Sequence, residues 1–338
     1  MKTELTKITQ HRALGKAGPQ NIAAIGLGAM GMSKMYGASD DAESIATIHA
    51  ALAAGVNLID TGDFYGFGHN EMLVGQALKG RRDQALLSVK FGALRSPDGG
   101  WTGVDGRPAA VKNFLTYSLQ RLGVEHIDIY RLARLDPNVP IEDTIGAMAE
   151  MVKAGYVRYI GLSEVGAETV ARANQVHPIS DLQIEYSLIS RGPEETIFPT
   201  LNSLGIGVTA YGVLSRGLLS GSKPTGPQDF RAYLPRFTGE NYEKNQKLVA
   251  VLQQIAAERN ATASQIAIAW VLAKGASIVP IIGARTRKQL AESLGALELK
   301  ISAADLATIE AVVPANKVAG TRYDAYQMGH LDSEKIAK

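Results

Sequence analysis

Short runs of apolar residues recur along the chain, and each is followed by a longer segment with helical periodicity. The apolar runs predict strands at 21–28, 56–60, 85–91, 127–132, 159–164, 182–187, 206–212 and 278–283. The segments between them predict helices near 41–54, 70–79, 107–122, 141–154, 166–176, 193–204, 242–273 and 286–296. Because most runs are nearly continuous in apolar residues, they indicate parallel strands that are covered on both faces.

Eight strand–helix units indicate an α/β protein that forms one closed (β/α)8 TIM barrel over residues 1–338, with an open doubly wound sheet as the alternative. The stretch 12–23 predicts an N-terminal β-hairpin at the floor of the barrel. Residues 220–241 carry Gly, Pro, Ser and aromatic residues without a clear period, which predicts a lid loop over the cofactor or substrate. We expect this loop and the C-terminal tail 314–338 to determine substrate choice.

Three segments have the spacing of a capping box, in which a helix begins at a Ser or Thr and a Gln or Asp follows three residues later. They begin at Thr262, Thr286 and Ser302. Each predicts the start of a helix.

Composition excludes several classes of function. Hydrophobic residues make up 46% and charged residues 20% of the chain, and the net charge of +2 argues against a nucleic-acid partner. The absence of cysteine excludes disulfides, thiol nucleophiles and iron–sulfur clusters. The six histidines lack metal-ligand spacing, so no metal site is expected. No secretory signal precedes the first strand and the apolar stretch 261–273 is too short to cross a bilayer, which predicts a cytoplasmic protein without membrane contact.

Three residues with chemistry lie near the ends of neighbouring predicted strands. Asp60 ends one strand, Tyr65 follows in the next loop, and Lys90 lies near the end of the following strand. In a barrel these positions face the active-site mouth. A buried lysine needs a carboxylate partner, for which Asp60 is suited, and a cation beside Tyr65 would lower its pKa from about 10 so that it protonates an alkoxide. The alternative is a structural ion pair beside an unrelated tyrosine.

The stretch Gly26-Leu-Gly28-Ala-Met-Gly31 matches the dinucleotide-binding pattern G-x-G-x-x-G, but a loop follows it where that pattern requires a helix. We therefore do not predict a Rossmann site there. Met30, Met32 and Met35 are instead expected to line the barrel mouth.

Six motifs follow one another in an order that resembles the aldo-keto reductase superfamily over nearly the whole chain. They are NLIDTGDFYG (57–66), SVKFG (88–92), GLSEV (161–165), QIEYSL (183–188), AYGVLSRGLLSG (210–221) and GARTRKQLAES (283–293). The start IGLGAMGMS resembles the bacterial and plant branch of NADPH-dependent aldehyde and ketone reductases. The resemblance implies NADP(H) as cofactor, a small carbonyl compound as substrate, and Asp60, Tyr65 and Lys90 as catalytic residues, with Tyr65 as proton donor.

One position departs from the family. In YRLARLD (130–136), Ala133 stands where the family places a catalytic histidine, while Arg134 and Asp136 match. Alanine cannot donate a hydrogen bond to a carbonyl oxygen, so Ala133 and Met30 are assigned to the substrate pocket. Strand alternation around an inward residue 132 predicts that Arg131 and Arg134 point elsewhere. Because Ala133 replaces the family's histidine, a second hypothesis stays open, in which the protein is an NADPH-binding sensor with little turnover. A sugar-phosphate isomerase on the same barrel fits the cofactor motifs poorly.

The segment that follows the last predicted strand has the features of an anion site. A helix start at Thr286 lies among Arg285, Arg287 and Lys288, which suits the 2′-phosphate of NADP, although a solvated basic helix start is the alternative. The resemblance places Arg285 at that phosphate. It also implies the following further cofactor contacts: Gln289 and Glu292 near the adenine, Tyr211 stacked on the nicotinamide, Ser163 and Gln183 on its carboxamide, loop 212–219 around the pyrophosphate, and Met30, Asp60, Gly212, Leu214, Arg216, Gly283 and Ser293 in the remaining contacts. Glu164 replaces the asparagine of relatives. The oligomeric state is open.

Overall fold

Eight parallel strands close into a barrel in the computed structural model, which describes residues 5–226 and 229–335. The strands are β1 Gly26–Gly28, β2 Leu58–Gly62, β3 Leu86–Phe91, β4 Ile127–Leu132, β5 Val157–Ser163, β6 Ile179–Glu185, β7 Gly207–Tyr211 and β8 Ile278–Gly283. Each strand pairs with the next in the chain, and β8 pairs with β1. The predicted (β/α)8 barrel is confirmed, and the open sheet is excluded.

Helices cover the outside of the barrel. They are α1 Asp41–Ala54, α2 His69–Leu78, α3 Pro108–Leu122, α4 Ile141–Lys153, α5 Ala167–Val176, α6 Ile197–Leu204, α7 Gly239–Glu258, α8 Ala263–Ala273, α9 Arg287–Leu294, α10 Ala303–Val312 and α11 Ala325–Gly329. The single helix predicted over 242–273 is wrong. Asn260 adopts a left-handed φ of 51°, and Thr262 then caps a new helix with the predicted capping box. The capping box at Ser302 is likewise confirmed.

The N-terminal hairpin closes the floor of the barrel, as predicted. His11–Arg12 pairs antiparallel with Ile22–Ala23, so the first predicted strand is divided between this hairpin and β1. Leu14 and Ile22 from the hairpin are fully buried against Leu58, Ile129 and Val279 from the barrel strands. This apolar layer fills the lower half of the barrel and leaves the upper half to polar side chains.

The alternation of β4 decides which of its residues enter the barrel. Ile129 belongs to the floor layer, whereas Leu132 packs in the core between the barrel and the helices. Arg131 and Ala133 therefore face inward. The prediction of an inward residue 132 is wrong by one position, and in a strand one position reverses every side chain.

The segment 220–241 contains two short 3-10 helices, Phe230–Tyr233 and Pro235–Phe237, and its last three residues belong to α7, which begins at Gly239. Residues 227–228 lie outside the described residues, as do 1–4 of the predicted domain and 336–338 of the predicted tail. Arg231 anchors the segment through a buried ion pair with Asp229 and a hydrogen bond to the carbonyl of Arg216. Its role as a lid stays a prediction. Within 5–226 and 229–335, we find no helix that combines the length and the apolarity needed to cross a membrane.

Candidate active site

Lys90 and Asp60 form a buried ion pair at the upper ends of β3 and β2. Lys90 Nζ donates a hydrogen bond to Asp60 Oδ1. Asp60 Oδ2 accepts from Ser88 Oγ and from Gln183 Nε2, each at 2.9 Å. Burial lowers the pKa of Lys90, and the Asp60 carboxylate opposes that shift. The predicted pairing is confirmed.

Tyr65 lies above this pair, in the short turn that follows β2. Its ring centroid is 5.1 Å from Lys90 Nζ, and the residue is only 7% exposed. Burial raises the pKa of Tyr65 well above its usual value, and the Asp60 carboxylate raises it further. Arg134 lowers this pKa but does not offset the rise, so the predicted net lowering by Lys90 is wrong. The phenol therefore keeps its proton at neutral pH, which is the form that a proton donor needs.

A second buried ion pair, between Arg131 and Asp181, lies inside the barrel. Arg131 Nη1 lies 2.8 Å from Asp181 Oδ2, and both side chains are fully buried. A Cβ atom at Gly161 would lie 2.7 Å from Arg131 Nη1, so a glycine is needed there for the guanidinium to fit. Thr209 Oγ1 donates to Asp181 Oδ2 at 2.6 Å. The sequence analysis missed this pair, although polar residues at every second position of β6 indicate a polar inward face.

Ala133 and Arg134 follow β4 at the mouth of the barrel. Ala133 is buried, and its backbone N–H donates to the carbonyl of Phe91 at 2.9 Å. Arg134 is half-buried, and its Nη1 donates to the carbonyl of Ala133 at 2.6 Å and to Ser163 Oγ at 3.5 Å. The prediction that Arg134 points away from the mouth is therefore wrong. Its side chain folds back across the end of β4 and reaches Ser163 at the end of β5.

The three residues expected around the nicotinamide lie at the ends of neighbouring strands. Ser163 ends β5, Gln183 lies on β6, and Tyr211 ends β7 with its ring half-buried. All three already have protein partners, and Ser163 Oγ accepts from Arg134 Nη1 at 3.5 Å. Gln183 donates to Asp60, and the Tyr211 hydroxyl donates to Glu164 Oε1 at 2.7 Å.

Glu164 anchors the C-terminal tail. Its carboxylate is fully buried and accepts hydrogen bonds from both terminal nitrogens of Arg322 and from Ser333 Oγ. Burial alone would raise the pKa of Glu164, but the Arg322 guanidinium overrides burial and holds that pKa well below its usual range. The residue adopts a left-handed φ of 55°, which costs a non-glycine residue about 1–2 kcal/mol. Glutamate at this position therefore has a structural role that the sequence analysis did not identify.

Glu185 organises the loop that follows β7. Arg216 Nη2 lies 2.7 Å from Glu185 Oε2, and Arg236 Nη1 lies 3.5 Å from Glu185 Oε1. Arg216 also stacks 4.4 Å over the ring of Tyr323 from the tail. At Gly212, φ is 65° and a Cβ would lie 3.0 Å from Glu185 Cγ. Both the left-handed backbone and the close contact therefore favour glycine at this position.

Several backbone N–H groups of the predicted pyrophosphate loop already form hydrogen bonds within the loop. The N–H of Ser215 donates to the carbonyl of Gly212, and those of Gly217 and Leu219 donate to the carbonyl of Leu214. That this loop binds pyrophosphate stays a prediction, and it now concerns the remaining backbone N–H groups only.

The start of α9 differs from the prediction in two details. Thr286 caps the N–H of Gln289, but the Gln289 side chain accepts from the N–H of Arg285 at 2.9 Å rather than completing the box. Arg287 forms an ion pair with Glu43 at 2.8 Å, so its charge is already neutralised. Arg285 remains without a carboxylate partner among the described residues, and its Nη1 donates to two backbone carbonyls of the loop after β1.

The other expected cofactor contacts extend from the mouth to the outer edge of the barrel. Gly283 is exposed at the end of β8, Glu292 is exposed on α9, and Ser293 is buried on that helix. Met30 is half-buried, with its sulfur 3.8 Å from the hydroxyl of Tyr36. Met32 lies in the core between barrel and helices, so its expected place at the mouth is wrong.

Comparison with known proteins gives a consistent result. The family model described as the Aldo/keto reductase family matches residues 24–314. The "Probable aldo-keto reductase 1" of Glycine max is 40% identical over 311 residues, which cover 89% of this chain and 88% of that relative.

Three solved structures share the fold. A glycerol dehydrogenase from Gluconobacter oxydans superposes with a TM-score of 0.80 at 25% identity, covering 100% of this chain and 99% of its own. An aldo-keto reductase from Bacillus halodurans in its holo form gives a TM-score of 0.75 at 26% identity, covering 92% of this chain and 97% of its own. A thermostable aldo-keto reductase in complex with the inhibitor epalrestat gives a TM-score of 0.71 at 27% identity, covering 90% of this chain and 100% of its own.

Proposed function

Because the chain belongs to the aldo/keto reductase family, whose members are oxidoreductases of carbonyl compounds, we propose that it reduces an aldehyde or ketone to an alcohol with NADPH. The observation that carries this proposal is the buried group of Asp60, Lys90 and Tyr65 at the carboxyl ends of β2 and β3. In (β/α)8 enzymes this end of the barrel holds the active site.

The residues of this group divide the chemistry among them. NADPH supplies a hydride to the carbonyl carbon when it is bound, and the carbonyl oxygen then takes up a proton. Tyr65 holds that proton, because burial keeps the phenol protonated. Lys90 places a positive charge beneath the Tyr65 ring, and Asp60 fixes Lys90 while it is itself held by Ser88 and Gln183. A preorganised arrangement of this kind needs little rearrangement during the reaction.

The loops after β7 and β8 support NADP as the cofactor. These strands are neighbours in the barrel, and loops at these positions commonly bind phosphate together with a helix N-terminus. The half-buried ring of Tyr211 offers a surface for the nicotinamide, and the turn at Gly212 leaves little space for a side chain. Arg285 would hold the 2′-phosphate at the start of α9, where the helix dipole also favours an anion. NADPH would accordingly bind more tightly than NADH.

A second candidate function is an NADPH-binding sensor with little turnover. The observation that favours it is Ala133, which faces the mouth without any hydrogen-bond donor in its side chain. Both candidates predict NADPH binding, but only the reductase oxidises NADPH when a carbonyl compound is added.

The test is the Tyr65→Phe variant with small neutral aldehydes as substrates. We expect kcat/KM to fall by about 10²–10⁴, because a positioned proton donor contributes that much. The NADPH dissociation constant should change by less than about twofold. Tyr117→Phe, at an exposed position of α3, is the matched control and should retain the parental rate.

Two results would count against the proposal. A Tyr65→Phe variant with the parental rate would show that another group supplies the proton. A parent protein that binds NADPH but oxidises it with no aldehyde or ketone would favour the sensor.

A further inference from the structure

Carbonyl reduction builds negative charge on the substrate oxygen, and Tyr65 alone provides one donor to it. Enzymes commonly place a second fixed donor at such an oxygen. Ala133, which follows β4 at the mouth, offers a methyl group there. The site therefore lacks a donor unless a neighbouring residue reaches the same space.

Arg134 is placed to reach it. Its Nη1 donates to the carbonyl of Ala133 at 2.6 Å and lies 3.5 Å from Ser163 Oγ, so the guanidinium lies between the ends of β4 and β5. None of the described residues accepts a hydrogen bond from its Nη2 or Nε. Neither nitrogen is among the buried unpaired atoms, so both keep some exposure to solvent. Two donors of a guanidinium that contacts Ala133 are thus without a partner among the described residues.

The charge of Arg134 acts on both partners of the catalytic group. It lowers the pKa of Tyr65 and also that of Lys90, so the guanidinium is near enough to act electrostatically on both groups. Burial opposes its charged form, but Tyr211, Tyr323 and Glu164 more than compensate and raise its pKa. Arg134 is a permanent cation at this site.

Arg134 also differs from the other arginines at the mouth. Arg216 and Arg322 form ion pairs with Glu185 and Glu164. Across residues 5–226 and 229–335, no carboxylate lies within ion-pair distance of Arg134. Its charge therefore remains available to an oxygen atom that becomes negative during a reaction.

We propose that Arg134 is a catalytic residue that donates a hydrogen bond to the substrate carbonyl oxygen, in the place left empty by Ala133. The inference rests on the proposed carbonyl reduction. The hydride from NADPH forms the new C–H bond, the π-electron pair of the carbonyl moves to oxygen, and Tyr65 transfers its proton to that oxygen. Arg134 keeps all its protons and stabilises the charge on oxygen before the transfer is complete. An arginine reaches this oxygen from one position further along the chain because its side chain is long.

The experiment compares Arg134→Met and Arg134→Lys with the parent on a small neutral aldehyde. Loss of one such donor typically lowers kcat by about 10²–10³, which we expect for Arg134→Met. Arg134→Lys, which retains a cationic donor, should lose less. The dissociation constant of NADPH should stay within about twofold of the parental value in both variants. Arg158→Met is the matched control, at the exposed floor end of β5, and should keep the parental kcat.

A rescue variant separates a catalytic role from a structural one. Ala133→His supplies an imidazole donor in the vacant place. Added to Arg134→Met, it should recover at least about tenfold of the lost kcat. The parent has no imidazole at this position, so only the rescued variant should show a new ionisation near the ordinary histidine pKa in its pH profile.

Three results would overturn the inference, and all require a parent that reduces the aldehyde. In the first, the kcat of Arg134→Met stays within about threefold of the parental value. In the second, Arg134→Met lowers kcat only with substrates that carry a carboxylate. In the third, Arg134→Met raises the NADPH dissociation constant more than about tenfold. The second would make Arg134 a substrate anchor, and the third a cofactor ligand. A parent that fails to reduce any carbonyl compound would instead overturn the proposed function.

Discussion

Asp63, two residues before Tyr65, makes the stability of the folded protein depend on pH. The residue is 8% exposed, and its Oδ1 is buried without a hydrogen-bond partner. Burial raises its pKa from 3.8 to about 7, and the neighbouring buried carboxylate of Glu71 adds to this shift. The folded protein therefore holds the proton of Asp63 more tightly than the unfolded chain does.

The sign and size of the effect follow from this difference. An acid with a raised pKa in the folded state contributes stability fully below pH 4, and this contribution is lost as pH rises through 7. One pKa unit corresponds to about 1.4 kcal/mol, so a shift of about three units sets an upper bound of about 4 kcal/mol. Asp63→Asn removes the titration while keeping the shape of the side chain.

The assay is urea unfolding of the parent and Asp63→Asn between pH 4 and 8. The difference in unfolding free energy, variant minus parent, should rise with pH by up to about 4 kcal/mol and level off above pH 7. Asp83→Asn, at an exposed position before β3, is the matched control for loss of one carboxylate. A difference curve for Asp63→Asn that stays as flat as the control, or that falls with pH, would refute the reasoning.

Two further predictions concern the cofactor site and the tail. Arg285→Ala should raise the NADPH dissociation constant about tenfold or more, since a charge-assisted contact is worth about 1.5–3 kcal/mol, and should leave the NADH dissociation constant nearly unchanged. Fluorescence titration measures both constants. Equal losses of affinity for the two nucleotides would refute this prediction. Arg322→Met should destabilise the protein by about 3–5 kcal/mol in urea unfolding, because it leaves Glu164 buried without its cation. Glu334→Gln removes only the half-exposed partner of Arg322 and should cost less than about 1 kcal/mol. Similar losses for these two variants would contradict the assignment of Glu164 as the anchor.

The barrel and the Asp60–Lys90 pair follow from local patterns in the sequence. Strand–helix alternation predicts the closed parallel sheet, because each parallel connection needs a helix to return to the same end. A lysine inside an apolar run needs a carboxylate on a neighbouring strand, and Asp60 on β2, which lies opposite Ser88, supplies it.

The features that the sequence analysis missed depend on distant residues or on a single position of register. Glu164 and Arg322 are far apart in the chain, so no local pattern connects them. The inward face of β4 was misassigned by one residue, which hid both the Arg131–Asp181 pair and the place of Arg134. The direction of the Tyr65 pKa shift depends on burial, which a sequence does not report.

The most direct test of the central claim is a single-turnover stopped-flow measurement of NADPH oxidation by the full chain, mixed with a small aldehyde. The account predicts loss of the NADPH absorbance only when aldehyde is present. The rate should fall when deuterium occupies the transferred C4 position of the nicotinamide, and it should collapse in Tyr65→Phe. NADPH that binds but keeps its absorbance with a broad panel of aldehydes and ketones would contradict the account.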